Sequence, residues 1–141
     1  MITPAYLFKM PRCIPLLLAA LFLSTGARAE WIQFGRTDDF RIYVDQRLIS
    51  KSGDFAQMWQ LMDFTVAQWA DAQTAVGSIK TLVEYDCTQP RFRTLAGEAY
   101  TEQMAAGRLV SSERVAEPQW DGIEAGSNPE KMQKIACGKK P

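Results

Sequence analysis

Two cysteines limit what this chain can fold into more than any other feature of its sequence. Cys87 and Cys137 are the ones that remain once a predicted N-terminal leader is removed. Oxidising compartments favour disulfides, so an exported chain with two cysteines is predicted to pair them. A bridge that closes a loop of some fifty residues stabilises a fold by about 4 kcal/mol. The alternative is that both thiols are buried and free.

The leader has the order of a secretory signal peptide. Lys9 and Arg12 precede an apolar run over residues 14–23, and a stretch of small residues typical of a cleavage site follows. The apolar run is shorter than the ~20 residues that a membrane-spanning helix needs. We therefore predict a cleaved signal peptide over residues 1–29.

Cleavage would leave residues 30–141 as one exported domain without a second long apolar run. Met10 offers an alternative start that shortens the leader and keeps its order. Cys13 lies before the apolar run, so it is not placed to carry the lipid anchor of a bacterial lipoprotein, and the predicted mature end is Glu30. The periplasm and the cell surface are both open as the location.

Charge and composition exclude several classes of function. The full chain has 16 basic and 16 acidic residues, and removal of the leader leaves 13 and 16, a net charge of −3. That balance, without a clustered basic face, argues against a nucleic-acid partner. The absence of histidine excludes serine–histidine and cysteine–histidine catalysis and, with only two thiols, a zinc site. The sequence predicts a protein that is not an enzyme and that has no cofactor and no metal.

Three aspartates near the start of the domain have two interpretations. Asp38, Asp39 and Asp45 could in principle form a catalytic carboxylate pair. Adjacent aspartates in a turn more commonly stabilise the turn itself, and Asp45 is placed to cap the end of a strand. The second interpretation is preferred.

The clearest strand signal lies over residues 79–87, where the side chains alternate between two faces. One face carries Ile79, Thr81, Val83, Tyr85 and Cys87. The other face carries Lys80, Leu82, Glu84 and Asp86. The alternation predicts a strand with one buried side, and it directs Cys87 toward the core.

A second strand follows after a turn, and its register can be predicted. A four-residue loop over residues 87–90 forms the pairs Asp86–Arg91, Tyr85–Phe92 and Glu84–Arg93, whereas a three-residue loop places arginines opposite Cys87 and Tyr85. Because the buried face sets the register of a strand, the four-residue loop is favoured. The charged pairs are interpreted as a solvated ladder on the sheet surface, and the alternative is that Glu84 and Asp86 form a catalytic carboxylate pair.

The other segments have less regular patterns. Strands are predicted over residues 31–35, 40–45, 55–64, 93–101 and 108–112, and the strand at 55–64 carries apolar residues on both faces, as a central strand does. Residues 65–77 are interpreted as a loop with one helical turn, because alanine and polar residues dominate there. Residues 114–126 are predicted to cross the sheet as an irregular segment.

The C-terminal sequence SNPEKMQKIACGKK predicts a short helix. Asn128 is the predicted N-cap, Pro129 takes the first helical position and Gly138 ends the helix. The helix has a narrow apolar stripe, which consists of Met132, Ile135 and Ala136. Because so short a helix is marginal on its own, the bridge from Cys137 would tether it. The predicted fold class is α+β, mainly β, with a single antiparallel sheet of about six strands and this tethered helix.

Several short segments follow one another in a fixed order. They are YVD at 43–45, Trp59, EYDC at 84–87 with Arg91 and Arg93, and KIACG at 134–138. In this order, and over residues 31–139, the chain resembles the bacterial surface-adhesin protein E-like domain family. The resemblance implies a family signature formed by Trp31, Asp45, Trp59, Tyr85, Arg93 and Trp120. It also implies an antiparallel sheet with a disulfide-held helix, and a bacterial surface protein that contacts host matrix or plasma proteins.

The chain departs from that family in one respect, which leaves two functions open. The type member is held at the surface by a lipid-modified cysteine, and the predicted mature end here has none. The protein is therefore either a surface binding protein or a periplasmic protein that binds a small molecule or an envelope component. Trp69 and Trp120 are candidate ligand contacts: a cavity lined by them would favour the second function, and a position on the surface the first. Exposed edge strands would allow a homodimer.

Overall fold

The computed structural model describes residues 30–139, so the predicted signal peptide and the alternative start lie outside the described residues. Its strands are β1 (Trp31–Arg36), β2 (Phe40–Asp45), β3 (Ser50–Ser52), β4 (Phe55–Trp69), β5 (Ala75–Asp86), β6 (Arg91–Tyr100), β7 (Leu109–Arg114) and β8 (Asp121–Gly122), and its helix is α1 (Asn128–Ala136). The six longer strands form one antiparallel sheet in the order β1-β2-β4-β5-β6-β7, with β3 beside β4 and β8 beside β6. The predicted fold class is confirmed.

One face of the sheet, called the helix face, packs against α1 and contains the main core. Directly opposed residues of antiparallel strands point to the same side, and Ala56–Tyr85 and Met58–Val83 are such pairs on this face. The core cluster consists of Val44, Ala56, Met58, Val83 and Tyr85 from the sheet and Met132 and Ala136 from the helix. The predicted apolar stripe of α1 therefore faces the sheet.

The helix begins one position away from the predicted cap. Ser127, not Asn128, is the N-cap: its backbone is extended and its hydroxyl accepts a hydrogen bond of 3.3 Å from the amide of Glu130. The prediction of Asn128 is wrong because serine and asparagine are nearly equal caps, and a proline is accommodated at either of the first two helical positions. Gly138 ends the helix as predicted, with a φ of +72° that favours glycine. No helix in residues 30–139 is long and apolar enough to cross a membrane.

The predicted disulfide between Cys87 and Cys137 is present, with an Sγ–Sγ distance of 2.00 Å. It joins the turn after β5 to the end of α1. Polar contacts support the same junction: the Gln133 side chain donates to the carbonyls of Asp86 and Gln89 at 2.6 and 2.7 Å. The end of the helix is therefore held to the 87–90 turn both covalently and by hydrogen bonds.

The segment from residue 65 to residue 77 is a hairpin, so its prediction as a loop with a helical turn is wrong. β4 continues to Trp69, β5 begins at Ala75, and the two strands pair again at Gln68–Val76 and Trp69–Ala75. A register shift lies between Asp63 and Gln68. Local composition did not indicate a strand because the pairing, and not the apolar pattern, extends the backbone here.

The face opposite the helix, called the ladder face, carries the charged pairs beside the 87–90 turn. The register of the four-residue loop is confirmed, with Tyr85 opposite Phe92 and Glu84 opposite Arg93. A guanidinium nitrogen of Arg93 lies 2.5 Å from a carboxylate oxygen of Glu84. The corresponding distance for Arg91 and Asp86 is 2.8 Å.

The prediction that this ladder is solvated is wrong. Glu84 and Asp86 are only 7% and 2% exposed. The cover is Trp120, whose ring stacks on Phe55 at 5.7 Å and lies 4.6 and 4.3 Å from the guanidinium carbons of Arg91 and Arg93. The short β8 pairs with the start of β6 and brings Trp120 to this position. That long-range pairing left no periodic signal in the irregular 114–126 segment.

Candidate functional site

A cavity of about 560 Å³ opens on the ladder face, between the β1–β2 pair and the segment that joins β6 to β7. Its lining residues are Trp31, Asp45, Leu48, Trp59, Lys80, Tyr100, Met104 and Ala105. The volume falls within the range of small-molecule binding sites. Three aromatic rings and two charged groups therefore surround a space large enough for an organic ligand.

Strand register places the sheet-borne members of this set on one side. Trp31 is opposite Asp45 in the β1–β2 pair. On the same face, Leu61 is opposite Lys80 in the β4–β5 pair, and Lys80 is opposite Glu98 in the β5–β6 pair. Tyr100 follows two residues after Glu98 and thus points to the same face. The floor of the cavity is built from rigid, paired strands and not from loops.

The opposite wall is a turn that folds back over the sheet. The amide of Met104 donates to a carboxylate oxygen of Asp63 at 2.6 Å, and the amide of Ala105 donates to the hydroxyl of Ser78 at 3.0 Å. Met104 and Ala105 have φ values of 58° and 57°, a region that residues other than glycine adopt rarely. The two hydrogen bonds hold the turn in this conformation.

Gly77 allows the turn to approach the sheet. A Cβ built on Gly77 would lie 2.5 Å from the carbonyl carbon of Glu102, a distance that no side chain tolerates. The hydroxyl of Ser78 also donates to the Glu102 carbonyl at 2.6 Å. Glycine at this position is therefore required for the wall of the cavity to sit where it does.

Asp45 is a buried carboxyl group in the lining of the cavity, and only one of its two side-chain oxygens has a hydrogen-bond partner among the described residues. It is fully buried, and its Oδ1 accepts a hydrogen bond of 3.0 Å from the amide of Arg47, in agreement with its predicted role as a strand-end cap. Its Oδ2 has no hydrogen-bond partner among the described residues. Buried carboxylate oxygens are normally paired, so this atom is exceptional, and the residue that carries it lines the cavity.

The positive charge of the cavity is already neutralised. The ammonium group of Lys80 lies 2.7 Å from a carboxylate oxygen of Glu98 and 4.4 Å from the centre of the Trp59 ring. The hydroxyl of Tyr100 donates to the same oxygen of Glu98 at 2.7 Å. Burial raises the pKa of Glu98, but the hydrogen bonds from Lys80 and Tyr100 and the Lys80 charge outweigh it and lower the pKa overall. Lys80, Glu98 and Tyr100 thus form one closed polar group.

The bond to Glu98 gives Tyr100 a measurable signature. The hydrogen bond to Glu98, burial and the carboxylate charge raise the pKa of Tyr100 from 10.0 to about 12. Because the folded pKa is the higher one, this contribution to stability is complete below about pH 10 and is lost as the pH rises toward 12. We expect Tyr100→Phe to lower the free energy of unfolding by about 1 kcal/mol at pH 7. Urea unfolding between pH 7 and pH 11 should show this difference shrinking above about pH 10. A difference that stays constant over that range would contradict the assignment.

The structure separates the predicted site residues into four places. Trp31, Asp45 and Trp59 meet in the cavity, although 28 positions separate the first from the last. Tyr85 lies in the core of the helix face, and Arg93 and Trp120 belong to the ladder. Trp69, 69% exposed, lies on the hairpin at the far end of β4. The two candidate ligand contacts, Trp69 and Trp120, are not among the lining residues of the cavity.

Five of the eight lining residues of the cavity were not predicted from the sequence as site residues. The missed lining residues are Leu48, Lys80, Tyr100, Met104 and Ala105. Extension of the predicted β5–β6 register would place Lys80 opposite Gly97, but an irregularity between Leu82 and Val83 shifts the partner to Glu98. No group of three or more histidine, cysteine, aspartate or glutamate residues able to hold a metal occurs within residues 30–139.

The hairpin tip, defined as residues 65–75, is a second candidate surface. Val66 and Trp69 are 72% and 69% exposed. Asp71 closes the turn between the strands, since its Oδ1 accepts hydrogen bonds of 2.8 Å from the amides of Gln73 and Thr74. These bonds, that from Gln73 first, lower the pKa of Asp71. The tip therefore presents two exposed apolar side chains, both on β4 before this turn.

Comparison with known proteins gives one family and one fold. The sequence model of the surface-adhesin protein E family matches residues 31–138. The fold is similar to that of Haemophilus influenzae protein E, with a TM-score of 0.62, 11% sequence identity, and coverage of 81% of this chain and 88% of that chain. A second crystal form of that protein has a TM-score of 0.63 and 11% identity, with coverage of 81% of this chain and 91% of that chain. Protein E from non-typeable Haemophilus influenzae has a TM-score of 0.59 and 11% identity, with coverage of 81% of this chain and 79% of that chain. At this identity the structural likeness shows the fold alone. No curated protein matches the chain significantly.

Proposed function

Because this chain belongs to the surface-adhesin protein E family, we propose that it is an exported, non-enzymatic protein that binds host matrix or plasma proteins through its hairpin tip. The observation that carries the proposal is the exposure of Trp69 and Val66 at the end of the longest strand of the described residues. Exposed apolar surface can mark an interaction site, and Trp69 is the largest exposed apolar side chain of the tip. Tryptophan is also among the residues that contribute most to protein–protein binding.

The shape of the tip suits it to binding a macromolecule. Trp69 pairs with Ala75 in the last rung of the β4–β5 ladder, and the amide of Ala70 donates to the carbonyl of Thr74 at 2.9 Å. Asp71 closes the same turn. Since the backbone beneath Trp69 is ordered, little conformational entropy is lost when the ring is buried by a partner.

The test compares Trp69→Ala with Leu109→Ala, a control on an exposed apolar residue of β7 that lies outside the tip. Immobilised fibronectin, collagen and fibrinogen represent matrix and plasma proteins, and binding is followed by surface plasmon resonance. We expect Trp69→Ala to weaken binding about tenfold or more, as for a central interface residue, and Leu109→Ala to change it less than about twofold. Equal binding by both variants and the unsubstituted protein would contradict the role of the tip.

Location is tested separately. The protein carries a tag after Pro141 in the producing cell, and protease is added to intact cells before fractionation. Loss of the tagged protein in intact cells is the result expected of a surface protein. Protection of the protein, with recovery in the periplasmic fraction, would contradict host binding as its main role.

A second candidate function is the binding of a small molecule or an envelope component in the periplasm. The observation that favours it is the cavity of about 560 Å³ on the ladder face. It uses none of the residues of the tip, so the two functions can be tested independently. A homodimer through the edge strands β1 and β7 stays a prediction, which light scattering on the purified protein would check.

A further inference from the structure

We propose that the cavity on the ladder face binds a primary ammonium group attached to an apolar body, with Asp45 as its counter-ion. This inference specifies the ligand class of the second candidate function and does not depend on the hairpin tip. Two features of the cavity support it: the buried carboxyl group of Asp45, which has an oxygen without a hydrogen-bond donor and no ion-pair partner among the described residues, and aromatic walls with an apolar rim.

One carboxyl group in the cavity has no ion-pair partner among the described residues. Lys80 is paired with Glu98 at 2.7 Å, and these two charges cancel. Asp45 makes no ion pair among residues 30–139, and its carboxylate is fully buried. A carboxyl group without a partner is costly to bury, and a ligand that brings one positive charge would supply the missing partner.

The carboxyl oxygens of Asp45 distinguish cations that carry N–H groups from those that do not. Oδ1 of Asp45 is occupied by the amide of Arg47, whereas Oδ2 has no donor. A primary ammonium group carries three N–H donors and can satisfy Oδ2 once a rotation of the Asp45 side chain turns that oxygen toward the cavity that the residue lines. A quaternary ammonium group has the charge but no N–H, so it leaves Oδ2 without a hydrogen bond.

The walls of the cavity fit the same ligand. Cations bind favourably over the faces of aromatic rings, and Trp31, Trp59 and Tyr100 line the cavity. The ammonium group of Lys80, 4.4 Å from the Trp59 ring, shows that a cation is already held over this surface. At the rim, the side chains of Leu48 and Met104 are 47% and 40% exposed and provide apolar contact for an alkyl group. An anionic ligand would meet Asp45, and Lys80 is already paired.

The first experiment measures three small probes of matched size with the purified full-length protein: n-butylamine, n-butanol and butyrate. Amide chemical shifts are followed by NMR during each titration. We expect butylamine to bind at least about tenfold more tightly than butanol, a difference worth about 1.4 kcal/mol, and butyrate to bind most weakly. The shifts should centre on Trp31, Asp45 and Lys80. Equal binding of all three probes, preference for butyrate, or no binding of butylamine would each overturn the proposal.

Substitutions then test the counter-ion. Asp45→Asn keeps the shape of the side chain and removes its charge, so the ratio of butylamine to butanol affinity should fall to about one. Asp38→Asn makes the same chemical change at an exposed turn and should leave the ratio unaltered. If Asp45→Asn does not fold, Trp31→Leu provides the test, because removal of one ring should weaken butylamine binding about fivefold. An unchanged ratio in Asp45→Asn, or unchanged affinity in Trp31→Leu, would overturn the proposal.

Two further arms separate the source of the ligand from the proposed function of the tip. Vesicles of phosphatidylethanolamine offer a primary ammonium headgroup, and vesicles of phosphatidylcholine offer a quaternary one without N–H donors. If the protein floats with the phosphatidylethanolamine vesicles and not with the phosphatidylcholine vesicles, the ligand is an aminolipid. If it binds butylamine but floats with neither kind of vesicle, the ligand is a free amine. Trp69→Ala should bind butylamine normally, so loss of host-protein binding and loss of amine binding are distinguishable outcomes. Loss of butylamine binding in Trp69→Ala would contradict the cavity as the binding site.

Discussion

Removal of the Cys87–Cys137 bridge is expected to lower the free energy of unfolding by about 4 kcal/mol. The bridge closes a loop of 50 residues, and in the unfolded chain that closure removes much of the conformational entropy that folding must otherwise overcome. The helix should be affected most. α1 has nine residues and only Met132 and Ala136 are buried, so without the bridge it is held by its packing and by the hydrogen bonds that Gln133 and Lys139 donate to the 86–89 backbone.

The measurement is urea unfolding of the Cys87→Ser/Cys137→Ser variant against the unsubstituted protein, each with and without a thiol reductant. The reductant should destabilise the unsubstituted protein to about the level of the variant and leave the variant unchanged. Hydrogen exchange should show faster exchange of the amides of α1 than of β4 and β5 in the variant. A loss of less than about 1 kcal/mol would mean that packing alone holds the helix.

Replacement of Asp86 by alanine is expected to lower the free energy of unfolding by about 3 kcal/mol. Oδ1 of Asp86 accepts bonds from the amide and hydroxyl of Thr88 and from the amide of Gln89, and Oδ2 accepts from Arg91. The substitution removes these hydrogen bonds and leaves the Arg91 guanidinium, which lies over Trp120, without its carboxylate. The expected loss stays at the lower end of the range for buried ion pairs because the Arg91 side chain is 35% exposed.

The lowered pKa of Asp86 predicts that the free energy of unfolding decreases at acidic pH. The Thr88 hydroxyl, followed by the Thr88 amide, Arg91 and Gln89, outweighs burial and holds the pKa of Asp86 well below its usual range. The unfolded chain takes up the proton at about pH 4, and the folded protein does so only at lower pH. The contribution of Asp86 is therefore complete above about pH 5 and is lost as the pH falls further.

Urea midpoints of Asp86→Ala between pH 7 and pH 3 check both statements. The gap between the variant and the unsubstituted protein should be largest at pH 7 and should narrow below about pH 5. Asp121→Ala removes an exposed carboxylate of β8 and should change stability by less than about 0.5 kcal/mol at either pH. An equal loss in both variants would show that the ladder contributes no more than a surface charge does.

Much of the fold could be predicted because its central hairpin is specified locally. The alternation over residues 79–87 and the position of Arg91 and Arg93 sufficed for the register of β5 and β6 near the turn. The burial of that ladder could not be predicted in the same way. It depends on Trp120, which is about thirty residues further along and reaches the ladder through a strand of two residues.

The cavity could be predicted only in part, for a physical reason. Trp31, Asp45 and Trp59 were identified through the family resemblance, and strand order brings them together. The opposite wall depends on the left-handed backbone of Met104 and Ala105, which sequence patterns assign to glycine or asparagine. It also depends on a one-residue shift of register at Leu82, which moves Lys80 opposite Glu98. Neither feature can be recognised from the amino-acid composition of its own segment.

The antiparallel register of β1, β2 and β4 also determines how the fold would respond to mechanical force. Trp31 is opposite Asp45 at one end of the sheet, and Phe40 is opposite Phe64 at the end that leads into the hairpin tip. Tension between Trp31 and Trp69 would therefore run along the strands and load the hydrogen bonds between them in shear, so that many must break together. The segment from residue 87 to residue 137, closed by the disulfide, lies outside this load path. If the protein were held at the hairpin tip and pulled at β1, the force would therefore not pass through the disulfide bond.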